Sequence, residues 1–464
     1  MRLPSFLSPW RGNRRAEPPA QRRSFDASSG RRFGARANFG SYGPETTAAG
    51  PNIRPRARHA YANNGYVRNA VDAIVAETVG AGIEATSTHP ETANRAEMDA
   101  IFEDAAARID AEGRTDLRGL TAAAVQAVVV DGEVFFHMET RENRTVLRQI
   151  PAEFVDESMT TELSGGGYIV AGIEFNEQSE RVAYRINPAR PTDLFPTARD
   201  PIRLPAKDVL HIFKPLGPGQ PRGVSWLAPI LLTVNENDQL RDALLVGAKV
   251  AAMHTGFVTD MNNLGGTGDA FPDADGLGDI SLEPGTMRVL PGGLDVKFNT
   301  PEQAKDGIPF AKLTLGQIAA GLGVPQHLVD GDLTGANYSS LRAGLLPFRA
   351  KVEQFVYHTL VPQFLDPVFR RVITDAYLAG RLDVPDLAPA LKAEWLAPRP
   401  MQVDPAKDAQ AMRELLDMGL TSRRQAVASL GWNIDTLDAE IAADRERERA
   451  LGLSFTDKES DDAE

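Results

Sequence analysis

Cysteine is absent from all 464 residues, which removes disulfides, thiolate metal sites and thiol nucleophiles at once. No uninterrupted apolar run approaches the roughly 18–20 residues needed to cross a bilayer; the longest tract, Ala122 to Val130, is interrupted by Gln126. The amino-terminal region carries arginines but no apolar stretch of signal-peptide length, so neither secretion nor a membrane partner is expected. A GxxxxGK loop followed by Ser or Thr is missing, which excludes a Walker-type ATPase. The seven histidines are scattered, with no HExxH or paired spacing for a metal. These gaps weigh lightly against enzymes in general and heavily against the motif-marked classes, and no cofactor is expected.

What remains is ordinary globular composition, 42% hydrophobic and 24% charged, in a chain long enough for two to four domains. Charge is the exception. Residues 1–58 hold twelve arginines against three acids (Glu17, Asp26, Glu45), a net of +9, which leaves −22 on the rest of a chain whose total is −13. An acidic body is poorly suited to gripping DNA, since grip needs Lys or Arg at the phosphates. It suits a surface past which DNA slides, or simply an acidic soluble face beside a basic tail.

The first 58 residues are rich in Arg, Gly, Ser and Pro without a sustained period, and read as a disordered basic arm. Order is expected from His59. Helical spacing follows at Tyr66 to Val75, about Glu91 to Ile109, and Leu117 to Val130, the last ending at Asp131-Gly132. Strands are expected at Glu133–Met138, Thr145–Ile150, Tyr168–Phe175, Arg181–Ile186 and Val209–Phe213, so the fold class is α+β. From Ser225 a stripe of Leu227, Ile230, Leu231 and Val234 starts a helix reaching about Ala252. Glycine- and aspartate-broken sequence follows, with strands expected at Thr255–Thr259, Thr286–Leu290 and Asp295–Phe298, before a helix at Phe310 to Ala320. A long helical stretch then runs from Ser340 toward Leu378, where Pro347, Pro362 and Pro367 demand kinks or breaks. A proline-rich link leads to three short helices, Lys407–Met418, Ser422–Leu430 and Thr436–Arg449, and an acidic tail.

Two stretches invite a ligand reading. Gly217 to Gly223 has the spacing GxGxxxG rather than GxGxxG, and Pro218 and Pro221 each remove a phosphate-cradling N–H, so it reads as a rigid turn. Asp273 to Gly276 echoes a calcium loop, but the first and twelfth positions would be Phe271 and Leu282, which offer no oxygen.

The most distinctive stretch is Gln317 to Phe355. One helix ends at Gly321-Leu322-Gly323 before Pro325, a polar loop carries Asp330, Gly331, Asp332, Gly335 and Asn337, and a Ser339-Ser340 pair is placed to cap the next helix. Asn337, Tyr338 and Ser339 offer hydrogen bonds or stacking without fixed charge; the alternative is that Tyr338 and Ser339 only fix the helix start, Ser339 as its cap. The segment Ala319 to Val324 (AAGLGV), then Tyr338-Ser339 and Arg342-Ala343, resembles the portal proteins of lambda-like tailed bacteriophages. So do Val209 to Pro215, Gly219-Gln220 and Arg222-Gly223, and the closing pattern Asp404 to Asp408, Gly419 to Ser422, Ala426 and Gly431, in consistent order over about residues 60–450.

That resemblance implies a non-enzymatic subunit of a ring, usually of twelve copies, at one capsid vertex. Double-stranded DNA passes through it in packaging and ejection, and terminase, capsid or scaffold protein and head-tail connector proteins dock on it. The expected location is the virion, after assembly in the host cytoplasm. It also implies a wing over about 59–222 with a return near 341–400, stem helices at 225–254 and 303–323, a clip at 255–300, a channel loop at 325–340, a helical crown at 401–450 and the acidic tail at 451–464. The stripe Leu227, Ile230, Leu231 and Val234, too apolar for water, is expected to be covered by a neighbouring subunit. A capsid or scaffold assembly protein, or a DNA-processing enzyme, are the competing readings.

Overall fold

The computed structural model describes residues 40–188, 200–253, 257–260, 294–297, 303–335, 337–398 and 405–453. Residues 1–39, the strand expected at Thr286–Leu290, the calcium-loop echo and the acidic end of the tail lie outside them. The chain divides into two compact units, one of residues 1–229 with 333–464 and one of Ile230–Asp332.

In the larger unit, α1 (Tyr42–Asn63) and α2 (Gly65–Val79) are joined at Asn64, whose side chain accepts the N–H groups of Tyr66 and Val67 and so caps α2. The α1 helix corrects the expected arm: order begins at least seventeen residues before His59. Glycines, Pro51 and Pro55 hide a helix whose inner face is built from small residues, with Ala49, Ile53 and Ala57 fully buried. β1 (Glu84–Ser87) and α3 (Thr92–Ala106) follow, then α4 (Leu117–Asp131), capped by Asp116 and ended by Gly132 in the left-handed conformation at φ 94°.

The next strands are β2 (Glu133–Arg141), β3 (Arg144–Ile150), β4 (Thr161–Glu162), β5 (Tyr168–Val170), β6 (Ile173–Phe175), β7 (Arg181–Ile186), β8 (Ile202–Pro205) and β9 (Val209–Phe213). They form two antiparallel sheets of order β3-β2-β9 and β4-β5-β6-β7-β8. The strand expected over Tyr168–Phe175 is instead two strands, because Ala171 and Gly172 turn at positive φ. Phe135, Val155, Ile173 and Tyr184 share the core that joins the sheets.

In the smaller unit, α5 (Leu231–Met253) packs against α6 (Gln303–Leu322). Strands β10 (Phe257–Asp260) and β11 (Leu294–Lys297) pair antiparallel, and the short α7 (His327–Asp330) closes the unit. The first helix starts six residues later than the Ser225 expected, since the Ser225 hydroxyl accepts the N–H of Leu227 and holds a turn there.

Beyond it, α8 (Tyr338–Phe355), a π-helical segment Val356–Leu365 and α9 (Asp366–Leu378) follow one another without a break. The expected breaks become a wider helix around Pro362, and the helix runs on through Pro367 in the first turn of α9. Phe364 of the π segment meets Phe136 at 4.8 Å between ring centroids. α10 (Leu387–Ala390) and β12 (Ala393–Leu396) lie within the expected proline-rich link, β12 pairing with β1. α11 (Pro405–Asp417), α12 (Arg423–Ser429) and α13 (Ile434–Leu451) finish the described chain.

Candidate functional site

The loop after α6 is built from local bonds. Gly323 at φ 73° ends the helix, and Gly331 at φ 71° ends α7 with its N–H on the carbonyl of His327. Asp330 accepts the backbone N–H of Asp332 and the side-chain amide of Gln326, both at 2.9 Å. The Asp332 carboxylate pairs with Lys312 at 2.8 Å. The two aspartates are thereby held on one turn, with a single lysine beside them.

On the far side of the loop, the Asn337 side chain accepts the N–H of Ser340, and the Ser340 hydroxyl accepts the N–H of Asn337, at 2.8 and 3.0 Å. This capping box makes Asn337, not Ser339, the cap of α8. Tyr338 is the first residue of that helix, Ser339 and Ser340 are exposed, and Gly335 turns at φ 80°. The 330–340 stretch contains no Lys or Arg, so it presents no cationic side chain of its own.

The proposed subunit-contact stripe is corrected. Leu227, Ile230, Leu231 and Val234 are all buried within the single chain, so their apolarity needs no neighbour. In the smaller unit Gly321 makes this possible: a Cβ there would lie 2.3 Å from the Ile230 methyl, so only glycine allows the approach. Asn237 and Thr314 hydrogen-bond across the same helix pair. Among the described residues of these two helices, the large apolar side chains left in solvent are Leu245 and Val246 on α5 and Phe310 and Leu313 on α6, all more than half exposed.

The structure also assembles a charge cluster that sequence reading missed. Glu133 opens β2 completely buried, and its carboxylate receives Arg222 at 2.6 Å, Arg54 at 3.2 Å, His211 Nε2 at 3.0 Å and the N–H of Gly223 at 2.8 Å. Glu157 adds a second carboxylate, 2.6 Å from Arg54 and 3.2 Å from Arg222. Arg222 also donates to the carbonyls of Ala152, Val155 and Ala171, so every face of its guanidinium has an acceptor.

Two arginines and two glutamates balance, with His211 as the fifth member. Despite the desolvation that opposes it, Arg222 and the His211 bond hold the Glu133 carboxyl far below the usual carboxylate range. Burial pushes His211 down from 6.5 to about 4, so at neutral pH it is the uncharged ring donating through Nε2. The ring lies stacked between Phe135 and Phe213 at 4.2 and 4.6 Å, and its Nδ1 has no described partner.

The cluster ties α1, β2, β9 and the segment before α5 into one joint. Gly132 and Gly223 cross there so closely that a Cβ on Gly223 would meet the Gly132 carbonyl oxygen at 2.1 Å. The Gly217–Gly223 turn is thus an anchor. Its only sequence signal was a charge at the head of the apolar strand EVFFHM and a histidine inside VLHIF. Among the described residues, no three His, Asp or Glu side chains are grouped to hold a metal ion, and no helix is long and apolar enough to cross a membrane.

An α+β subunit with a helix–strand–helix unit and a charge-locked sheet domain is therefore the class of protein described. Residues 29–355 match the family described as phage portal protein, lambda family. The chain belongs to that family. It is 26% identical over 424 residues to the probable portal protein of Halomonas phage phiHAP-1, covering 86% of this chain and 81% of that one. To portal protein B of Escherichia phage lambda it is 23% identical over 444 residues, covering 84% and 83%. Among solved structures it is similar to a chain from the neck of an empty gene transfer agent particle, with TM-score 0.47 and 17% identity over 90% of this chain and 96% of that one.

Proposed function

We propose that this chain is the repeating subunit of a dodecamer-like ring at one capsid vertex, serving as the channel for DNA packaging and ejection. Terminase, capsid or scaffold protein and head-tail connector proteins are its docking partners, and it performs no catalysis of its own. Membership of the lambda portal family over residues 29–355 carries this reading. The names of the relatives, both portal proteins, support it further.

In this reading α5 and α6 are the two stem helices, β10 and β11 belong to the clip, and α11 to α13 form the crown. The loop at 330–340 faces the channel, where its lack of cationic side chains keeps DNA from sticking. Leu245, Val246, Phe310 and Leu313, exposed on the stem helices, contribute to the contact with the neighbouring copy. The assembled protein is expected on the virion, after assembly in the host cytoplasm.

Negative-stain electron microscopy of the purified chain tests the assembly. Rings with a central hole are expected. A monodisperse population of monomers, or closed shells, would contradict it, shells favouring a capsid or scaffold role.

A further inference from the structure

The sealed face between α5 and α6 is apolar except for one pair. Ile230, Leu231 and Val234 on one side and Leu315, Ile318 and Ala319 on the other are buried, and so are Asn237 and Thr314. The Asn237 amide donates through Nδ2 to the Thr314 hydroxyl, which itself donates to the Ala311 carbonyl at 2.8 Å. Asn237 Oδ1 is buried without a partner. An orphaned acceptor of that kind costs stability, and replacing both members of such a pair by apolar groups of the same shape is often neutral or better. Stability therefore does not account for the pair.

We propose that Asn237 and Thr314 form a register lock, fixing the level at which α6 lies along α5. Spacing carries the argument. Asn237 meets Thr314, and Ile230 meets Gly321, where only glycine fits. Each step is seven residues, about two helical turns, taken in opposite directions on the two helices, so both contacts belong to one antiparallel alignment. Sliding α6 by one turn breaks both. Moved toward the start of α5, it brings Gln317 to Ile230 and Phe310 to Asn237. Moved the other way, it sets Ile318 against Asn237. In either case a buried amide loses its hydroxyl.

Apolar burial alone does not prevent slippage. Phe310 is more than half exposed and gains cover in the first of these slides. A single buried asparagine specifies alignment between paired helices by the same means, at a cost in stability. What the lock controls is the end of α6. A one-turn slip displaces that end by about 5.4 Å, together with α7 and the turn at Asp332, which Lys312 holds at 2.8 Å. The lock belongs to the helix pair itself, so it stands or fails independently of ring formation.

The chain has no cysteine, so register can be read by disulfide formation in the full-length protein. Counting from Asn237 and Thr314 sets Ala311 against Leu240, and a one-turn slip sets it against Glu236 or Leu244. Ala311→Cys is combined in turn with Leu240→Cys, Glu236→Cys and Leu244→Cys, oxidised with copper phenanthroline, and the intramolecular disulfides are quantified by mass spectrometry. The 240–311 bond should dominate. With Asn237→Leu and Thr314→Val added, the protein should resist heat at least as well, while the 236–311 or 244–311 bond rises several-fold relative to 240–311. Should that double variant aggregate, Thr314→Val alone is compared with Thr314→Ser, which keeps the hydroxyl and should keep the single register. Unchanged disulfide ratios on removal of the hydroxyl, or slipped bonds already abundant with the pair intact, would overturn the lock.

Discussion

Arg222 reaches Glu133 at 2.6 Å with both side chains sealed from solvent. Neither charge can be rehydrated in place, so the two residues stabilise the fold only as a pair. Breaking a buried pair from one side typically costs about 3–5 kcal/mol. Glu133→Gln should lower the unfolding free energy from a urea titration by about 3–5 kcal/mol. Removing Arg68 from its exposed pairing with Asp72 should cost at most about 1 kcal/mol. Equal losses in the two variants would mean the cluster is not a keystone.

The same joint should make the protein acid-sensitive. His211 is held neutral by burial, its value depressed from 6.5 to about 4; the ring faces Glu133, Arg222 and Arg181 among charged groups. Its unfolded form takes a proton first as pH falls, so its contribution is complete above about 6.5 and is lost on the way down to about 4. The slope is about 1.4 kcal/mol per pH unit while that proton is taken up. Glu133, also depressed, adds a loss below its ordinary 4.5. His211→Gln keeps a donor toward Glu133 and should flatten the stability profile between pH 6.5 and 4, leaving the lower limb. A profile unchanged by that substitution would show that His211 titrates normally.

Much of the secondary structure was legible because it is local. The α4 helix announces its stop at Asp131-Gly132, and apolar strands such as Val209–Phe213 are bounded by polar turns. The β1–β12 pair was not legible: Glu84-Ala-Thr-Ser has little strand character, and its partner is more than three hundred residues away. α1 was hidden by Pro51, Pro55 and a helix face made of alanine and glycine. The loop's polar, glycine-bearing composition was visible, but its cap was misplaced by two residues, because Asn337 and Ser339 both suit the role. The charge cluster combines residues from five segments spread between Arg54 and Arg222, a convergence that only the tertiary fold supplies.

The helix at Tyr42–Asn63 changes what truncation should do. Removing residues 2–28 should leave thermal stability nearly unchanged. Removing residues 2–50 takes away buried Glu45, Thr46 and Ala49, and should lower the melting temperature by several degrees, with each kcal/mol of loss corresponding to roughly 1 °C in a chain of this size. Equal melting temperatures for the two truncations would contradict the packing of α1.

Burial separates two classes of leucine in the smaller unit. Leu231→Asp places a charge in a sealed position and should give unfolded or aggregated protein. Leu245→Asp, on an exposed position, should keep the fold by circular dichroism yet reduce ring formation seen by mass photometry. Intact rings in the Leu245 variant would remove that residue from the subunit contact.

At the loop, Asn337→Ala removes one half of the capping box and should cost about 1 kcal/mol without dissolving rings. Replacing Gly331 to Gly335 by a short rigid turn should also spare the ring while impairing DNA retention or packaging. Unstable rings with normal packaging would make the loop structural.

The central claim is that this chain forms the passage for DNA. Its most direct test is a complementation assay in heads that lack a portal, reading the DNA protected from nuclease inside them. The account predicts full-length protected genomes only when this chain is supplied, with fewer filled heads for the rigid-loop variant. Heads that fill equally well without the chain would contradict it.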